Sequence, residues 1–378
     1  MEFRDLKAQY LKYRNEIDSL TQDVMKSAVF IGGEHVRKLE SSLATYVGVN
    51  HCITCANGTD ALYLVLRAWG IGKGDAVFVP NFTFFASAEV VSMVGATPVF
   101  VDVDYFTFNI DAKKLESTIK KTIDEGILSP KLIMPVDLFG LLADYDSIEL
   151  VAEEYNLKIL EDGAQGFGAT YKDRRACSFG DAATTSFFPA KPLGCYGDGG
   201  AIFTNDDELA GLIRSYKVHG KGEDKYDNIR IGVNSRLDSI QAAILNVKLK
   251  ALINHELDDV NRVYDSYNEL LVEKIEKPII PECYRSSFAQ YTIKLKSQKQ
   301  REDLQLFLKQ NDIPSMIYYK KTMHQQTAYA DMNLKDEDFP VSTDLCKRVL
   351  SLPMHPYMTK DDIERVAHYV NMFVGKSN

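Results

Sequence analysis

Little in this 378-residue chain points toward a membrane, a nucleic acid or an oxidising compartment. Its six cysteines (Cys52, Cys55, Cys177, Cys195, Cys283, Cys346) are scattered, which suits a reducing cytoplasm rather than a disulfide framework. Cys52 and Cys55 form a C-x-x-C inside a strand-like run at 51–56. No second pair or histidine cluster completes a metal site, so they read as two packed thiols and no metal is expected. No apolar run approaches the length of a membrane span, and the first residues, Met1-Glu2-Phe3-Arg4-Asp5, are charged rather than signal-like. Positive charge is in deficit: 44 basic against 53 acidic residues leave a formal net charge of −9. That balance excludes nucleic acid or an anionic membrane surface as the main partner, although backbone amides could still cradle a local phosphate.

What is present is an ordinary globular composition, 45% hydrophobic and 26% charged, on a chain too long for one core. From about 45 to 205, strand-like runs (76–79, 98–101, 132–136, 158–160, 201–204) alternate with helical patterns such as 61–69 and 147–155. This alternation predicts an α/β fold with a mostly parallel central sheet between helices, its ligands at the carboxyl ends of the strands. A long helix is expected from about Ser235 to Ile253. Beyond it come a strand at 291–295 and helices at 300–310 and 361–374. The expected division is a large domain over 1–252, including an N-terminal arm, and a smaller C-terminal α/β domain over 253–378.

Three loops carry candidate chemistry. Asn57-Gly58-Thr59-Asp60 lies between a strand-like run and a helix. Free N–H groups at such a turn suit a phosphate; the plainer reading is a helix cap by Thr59 or Asp60. Glu161-Asp162-Gly163-Ala164-Gln165-Gly166 follows a strand. A carboxylate there needs a cation, and a protonated pyridine nitrogen would serve, with Gln165 offering a neutral donor; a solvated turn is the alternative. In Ser186-Phe187-Phe188-Pro189-Ala190-Lys191-Pro192-Leu193-Gly194 a single lysine sits between two prolines, after aromatics and before a glycine-rich stretch. Apolar neighbours would lower the basicity of its amine, as an imine-forming lysine requires, and Ser186 could donate to a phosphate. Together the loops supply what pyridoxal 5′-phosphate (PLP) catalysis asks of a protein, namely phosphate donors, a pyridinium partner and a nucleophilic amine.

Residues 161–165 and 186–200 closely resemble the DegT/DnrJ/StrS-type sugar aminotransferases, a branch of the fold-type I PLP-dependent transferases. The resemblance runs from Phe3-Arg4-Asp5-Leu6-Lys7 to Ser351-Leu352-Pro353-Met354-His355-Pro356, and is most specific over 186–204. It is nearest to enzymes that aminate carbon 3 of a UDP-linked 3-oxo-N-acetylglucosamine derivative, notably the 3-oxo-glucuronate aminotransferases of lipopolysaccharide and O-antigen synthesis. The resemblance implies Lys191 as the lysine that carries PLP, Asp162 at the pyridine nitrogen and Gln165 at the phenolic oxygen. It further implies Gly58, Thr59 and Ser186 at the phosphate, with Phe84 stacked on the ring.

It also implies glutamate as amino donor and a homodimer whose sites are shared, Asn234 reaching the PLP phosphate of the second copy. Asn234 or Ser235 could instead cap the helix that follows. Arg230, Arg236, Tyr318 and Tyr319 are candidates for the substrate. Tyr318-Tyr319-Lys320 replaces a His-Tyr-Pro of the nearest relatives, which leaves a neutral 3-oxo or a 4-oxo sugar open beside the uronate. Other readings are a sugar dehydratase, which Lys191 opposes, and a non-catalytic small-molecule-binding regulator.

Overall fold

The computed structural model describes residues 1–224 and 226–376. Its centre is a seven-stranded sheet of β1 (His51–Cys55), β2 (Asp75–Pro80), β3 (Thr97–Val101), β4 (Ser129–Ile133), β5 (Lys158–Asp162), β6 (Ala182–Ser186) and β7 (Gly200–Thr204). In space the order is β1-β7-β6-β5-β4-β2-β3. The pairs β2/β3, β2/β4, β4/β5 and β5/β6 are parallel, while β7 runs antiparallel to both β6 and β1. Reversing β7 alone leaves β1 pointing with the other five, so the carboxyl ends of six strands open on one edge.

Both faces of the sheet are apolar, as a mostly parallel sheet covered on both sides requires. Ile53, Cys55, Val77 and Val79 pack on one face with the helices α3 (Gly58–Ala68), α4 (Ala86–Met93) and α7 (Asp207–Tyr216). On the other face, Cys52, Ala183 and Phe203 meet α2 (Gly33–Val47) and α8 (Ser239–Ala251). There too Ala76, Phe78 and Ile133 meet α5 (Ala112–Glu125) and α6 (Tyr145–Tyr155). Cys52 and Cys55 thus point to opposite faces, which explains why a C-x-x-C on a strand does not act as a chelating pair.

A separate core gathers α9 (Leu257–Leu270), α10 (Gln298–Gln310) and α12 (Lys360–Lys376) around the antiparallel pair β8 (Tyr291–Lys294) and β9 (Val349–Leu352), with α11 (Pro340–Arg348) leading into β9. At the other end of the chain, α1 (Leu6–Ser27) lies on α8 through Ile17, Ile244 and Val247.

Two sequence expectations shift. The strand expected at 132–136 is β4 at 129–133, because the apolar run continues beyond the ladder: Met134 bonds to Phe78 and Val136 bridges only to Asp162. The helix expected from Ser235 begins at Ser239, with Asp238 as its cap residue. Ser235 is committed elsewhere, accepting from the Ala56 amide at 3.0 Å and donating to Asp60 at 2.6 Å. Neither Asn234 nor Ser235 caps α8.

One buried charge is conspicuous. Lys248 on α8 is 1% exposed, its Nζ 4.8 Å from the centre of the Tyr196 ring. Burial pushes its amine down to about 7, helped by the Arg4 charge and opposed by Glu256 and Cys195. The folded state therefore binds fewer protons than the unfolded one between pH 7 and lysine's ordinary range, and the cost of folding grows as pH falls through that window. Lys248→Met is expected to stabilise the protein by about 3 kcal/mol at pH 7, a gain that shrinks as pH approaches 10. Denaturant unfolding at the two pH values measures this. An equal gain at both would mean that proton binding is not its source.

Candidate active site

The carboxyl edge of the sheet collects the candidate residues. Asp162 is the last residue of β5 and Ser186 the last of β6; Gly58 opens α3 just beyond β1, and Phe84 follows β2. The site follows from topology: loops far apart in sequence leave adjacent strands on the same side.

At α3, the Asn57 side chain accepts from the Asp60 amide at 2.7 Å, so the cap is Asn57 and not Thr59 or Asp60. Among the described residues the Gly58 and Thr59 amides then have no partner, and they stand at the positive end of the helix. A side chain at Gly58 would place its Cβ 2.7 Å from the Cβ of Ser186, so only glycine lets this turn close against β6. Gly200 plays a similar part between β1 and β6, since a Cβ there would lie 2.4 Å from the Asn57 carbonyl. These contacts bring the Ser186 hydroxyl beside two free amides, an arrangement whose donors suit a phosphate.

Asp162 is 5% exposed and accepts from the Ser87 hydroxyl at 2.8 Å and the Ala164 amide at 3.2 Å. Burial pushes its carboxyl above the usual range; both hydrogen bonds and the Lys191 charge pull it back. Lys191 lies mostly buried, on a turn closed by its own amide to the Phe188 carbonyl at 2.9 Å. Burial lowers the basicity of its amine and Arg4 lowers it further, while Asp162 opposes both. The amine and the carboxylate thus act on each other electrostatically.

Gln165 is 3% exposed, its Oε1 accepting from the Phe139 amide at 2.9 Å and its Nε2 donating to the Tyr319 hydroxyl at 3.2 Å. The Tyr319 ring stands 6.3 Å from that of Phe84, which is 55% exposed, and Phe188 on the lysine loop is 52% exposed. Within one chain the cleft is therefore open on its aromatic side. Tyr318 packs edge-on against Phe3, 6.2 Å between ring centres.

Three candidates stand off this cluster. Arg230 donates to the Ser215 hydroxyl at 3.2 Å, and the Nε of Arg236 is buried without a partner among the described residues. Asn234 is exposed and bridges only to Val218, while its neighbour Ser235 holds the start of α3. The sequence reading missed Ser87, although a serine on the first turn of the apolar helix α4 is a usable signal. It also missed Arg4, whose guanidinium donates to the Lys191 carbonyl at 2.9 Å; nothing in a charged N-terminal stretch singles that residue out.

Comparison with known proteins matches residues 12–371 to the DegT/DnrJ/EryC1/StrS aminotransferase family. The UDP-2-acetamido-2-deoxy-3-oxo-D-glucuronate aminotransferase of Pseudomonas aeruginosa is 44% identical over 365 residues, 96% of this chain and 98% of that protein. The dTDP-3-amino-3,6-dideoxy-alpha-D-galactopyranose transaminase of Aneurinibacillus thermoaerophilus is 41% identical, covering 98% of this chain and 99% of its own. A crystal structure of a DegT DnrJ EryC1 StrS aminotransferase from Brucella abortus superposes with a TM-score of 0.96 at 48% identity, over 99% of this chain and all of that one. The chain belongs to the DegT/DnrJ/EryC1/StrS aminotransferase family.

Proposed function

We propose that this protein is a PLP-dependent aminotransferase that converts a UDP-linked 3-oxo-N-acetyl-hexosamine derivative to its amino sugar, with glutamate as the donor. The observation that carries the reading is the gathering of the Lys191 amine, the Asp162 carboxylate and the Gly58–Thr59–Ser186 cradle at the carboxyl edge of the sheet. The residues fit the cofactor. Two free amides at a helix start and a hydroxyl suit its phosphate, and a buried carboxylate with two donors suits its cationic ring nitrogen. Gln165, whose nitrogen already donates to Tyr319, has a second hydrogen that would serve a phenolic oxygen, and Phe84 offers an exposed ring for stacking.

When bound, PLP supplies an electron sink for negative charge developing at a substrate carbon. Asp162, whose charged form is favoured by the bonds from Ser87 and Ala164, would hold the ring nitrogen and favour its protonated state. Lys191, kept weakly basic by burial, takes a proton from the donor carbon and returns it at the other reacting carbon. Tyr319 and Tyr318 line the side from which the sugar enters. Arg230 and Arg236 are the cations assigned to its anionic groups.

The homodimer and the cytoplasmic location are part of the same proposal. The open aromatic side of the cleft and the exposed Val29, Phe30, Ile31, Ile229 and Ile231 are apolar surface that a second copy would cover. Asn234 would then reach the second copy's phosphate site. Six unpaired cysteines suit a reducing compartment, and among the described residues no helix is long and apolar enough to cross a membrane. The large part at 1–252 carries the cofactor residues, and 253–378 adds Tyr318 and Tyr319. Both relatives named above carry carbon 3 in their names, which favours a 3-oxo over a 4-oxo substrate; supply of amino sugars for surface polysaccharide is part of the same proposal.

The test is a two-stage assay. Holoenzyme mixed with glutamate alone should release 2-oxoglutarate, about one per site. A panel of UDP- and dTDP-linked 3-oxo and 4-oxo sugars should then yield an amino sugar, read by NMR, fastest with the UDP-linked 3-oxo compound. Absence of 2-oxoglutarate would remove glutamate as donor, and amination at carbon 4 alone would overturn the substrate assignment.

A further inference from the structure

Beside the lysine turn lies a largely buried polar cluster, of which the mechanism above uses only Tyr318. Arg4, just ahead of α1, donates from Nη2 to the Lys191 carbonyl at 2.9 Å. Its position is fixed from several sides. The Phe3 carbonyl accepts from the Met354 amide at 3.4 Å, Phe3 packs on Tyr318, and the Asp5 side chain caps α1 by accepting from Ala8 at 2.7 Å. The guanidinium also lies within electrostatic reach of the Glu256 carboxylate on the π turn between α8 and α9, of Tyr357 and Tyr318, of the Lys248 amine and of His355. Glu256 is itself 2% exposed, accepting from Gln9 at 3.4 Å and from the Tyr357 hydroxyl. A cation in such a cluster is costly to remove from water, and its carboxylate partner is already shared with Gln9 and Tyr357.

We infer that Arg4 is a positioning residue of the amino-transfer site, anchoring the turn that bears Lys191 and supplying a fixed positive charge that keeps the Lys191 nitrogen nucleophilic. The inference rests on Lys191 being the lysine that carries the cofactor. A backbone carbonyl accepts equally well from any donor, so anchoring alone does not require arginine. What arginine adds is a charge that persists at every working pH, held beside the Lys191 turn by the bond to its carbonyl. The two charges pull in opposite directions on the same nitrogen: Asp162 favours its protonated form and Arg4 the free base. Removing Arg4 leaves Asp162 unopposed.

The test is a pH titration of the visible absorbance of the holoenzyme, whose lysine-linked cofactor changes colour on losing a proton. Arg4→Gln and Arg4→Met, the second filling the same space without a buried polar end, should both raise the midpoint by about one pH unit. That corresponds to proton binding about tenfold tighter. Arg4→Lys, which keeps the charge, should return the midpoint most of the way to wild type. In the neutral variants the alkaline rise of kcat/KM for the glutamate half-reaction should move by the same amount. A purely structural role would lower Tm and cofactor affinity while leaving the midpoint in place, and that result overturns the inference. Failure of the underlying reading looks different: the Lys191→Ala protein would keep the wild-type absorbance and its titration.

Discussion

Lys191→Ala is expected to lower aminotransfer by ~10⁴-fold or more while the protein stays folded. The loss has two sources. The amine that links the cofactor disappears, and so does the group that carries a proton between the two reacting carbons. The fold should survive because the turn is held by its backbone. The Lys191 amide donates to Phe188 at 2.9 Å, its carbonyl accepts from Arg4 at 2.9 Å, and prolines stand on either side. Turnover measured beside thermal unfolding separates the two effects. Activity within tenfold of wild type, or a cofactor still fixed to the protein by borohydride, would end the assignment of Lys191.

Asp162→Asn is the second large effect, a fall in kcat of about 10³-fold with little change in stability. Asparagine matches the shape of aspartate, and its carbonyl oxygen can still accept from Ser87 or Ala164. It carries no charge, so a protonated ring nitrogen loses its partner and the electron sink weakens. Wild type should lose the same interaction in acid. Burial raises the Asp162 carboxyl, so the charge disappears at a higher pH than for an exposed aspartate, and activity falls as pH drops through that range. The asparagine variant, having no carboxyl to titrate, should lack this acid limb. Comparing pH profiles of kcat in the two proteins checks the assignment; a variant with wild-type turnover would refute it.

The parts of this architecture that were readable from sequence are those in which local and global signals agree. Strands β2, β3, β5 and β7 are rich in valine, isoleucine, leucine and phenylalanine and stand out from their surroundings. Strand β6 is Ala-Ala-Thr-Thr-Ser, with nothing bulky to mark it, yet it is buried along most of its length and supplies Ser186. The reversal of β7 is set by pairing with β1 and β6, which no periodicity encodes. Asp162, Gln165 and Lys191 stand out as candidates in the sequence because their flanking glycines and prolines are chemically unusual. Ser87 and Arg4 do not, since each acts through one long-range bond from an otherwise unremarkable stretch. The start of α8 was misread for a similar reason: Ser235 looked like a cap, but its hydroxyl is spent on Asp60 across the fold.

Gln165 carries a consequence for coenzyme choice. An amide side chain can present either end, but here a peptide N–H from Phe139 occupies its oxygen, so flipping would set two hydrogens against each other. That corner of the cleft is thereby locked as a giver of hydrogen bonds. One hydrogen of the Gln165 nitrogen goes to the Tyr319 hydroxyl; on the proposed reading the other would meet a ring oxygen, and a coenzyme analogue without that oxygen would forfeit a hydrogen bond of roughly 0.5–1.5 kcal/mol. Selectivity at a side chain is in this way decided by main chain two loops away.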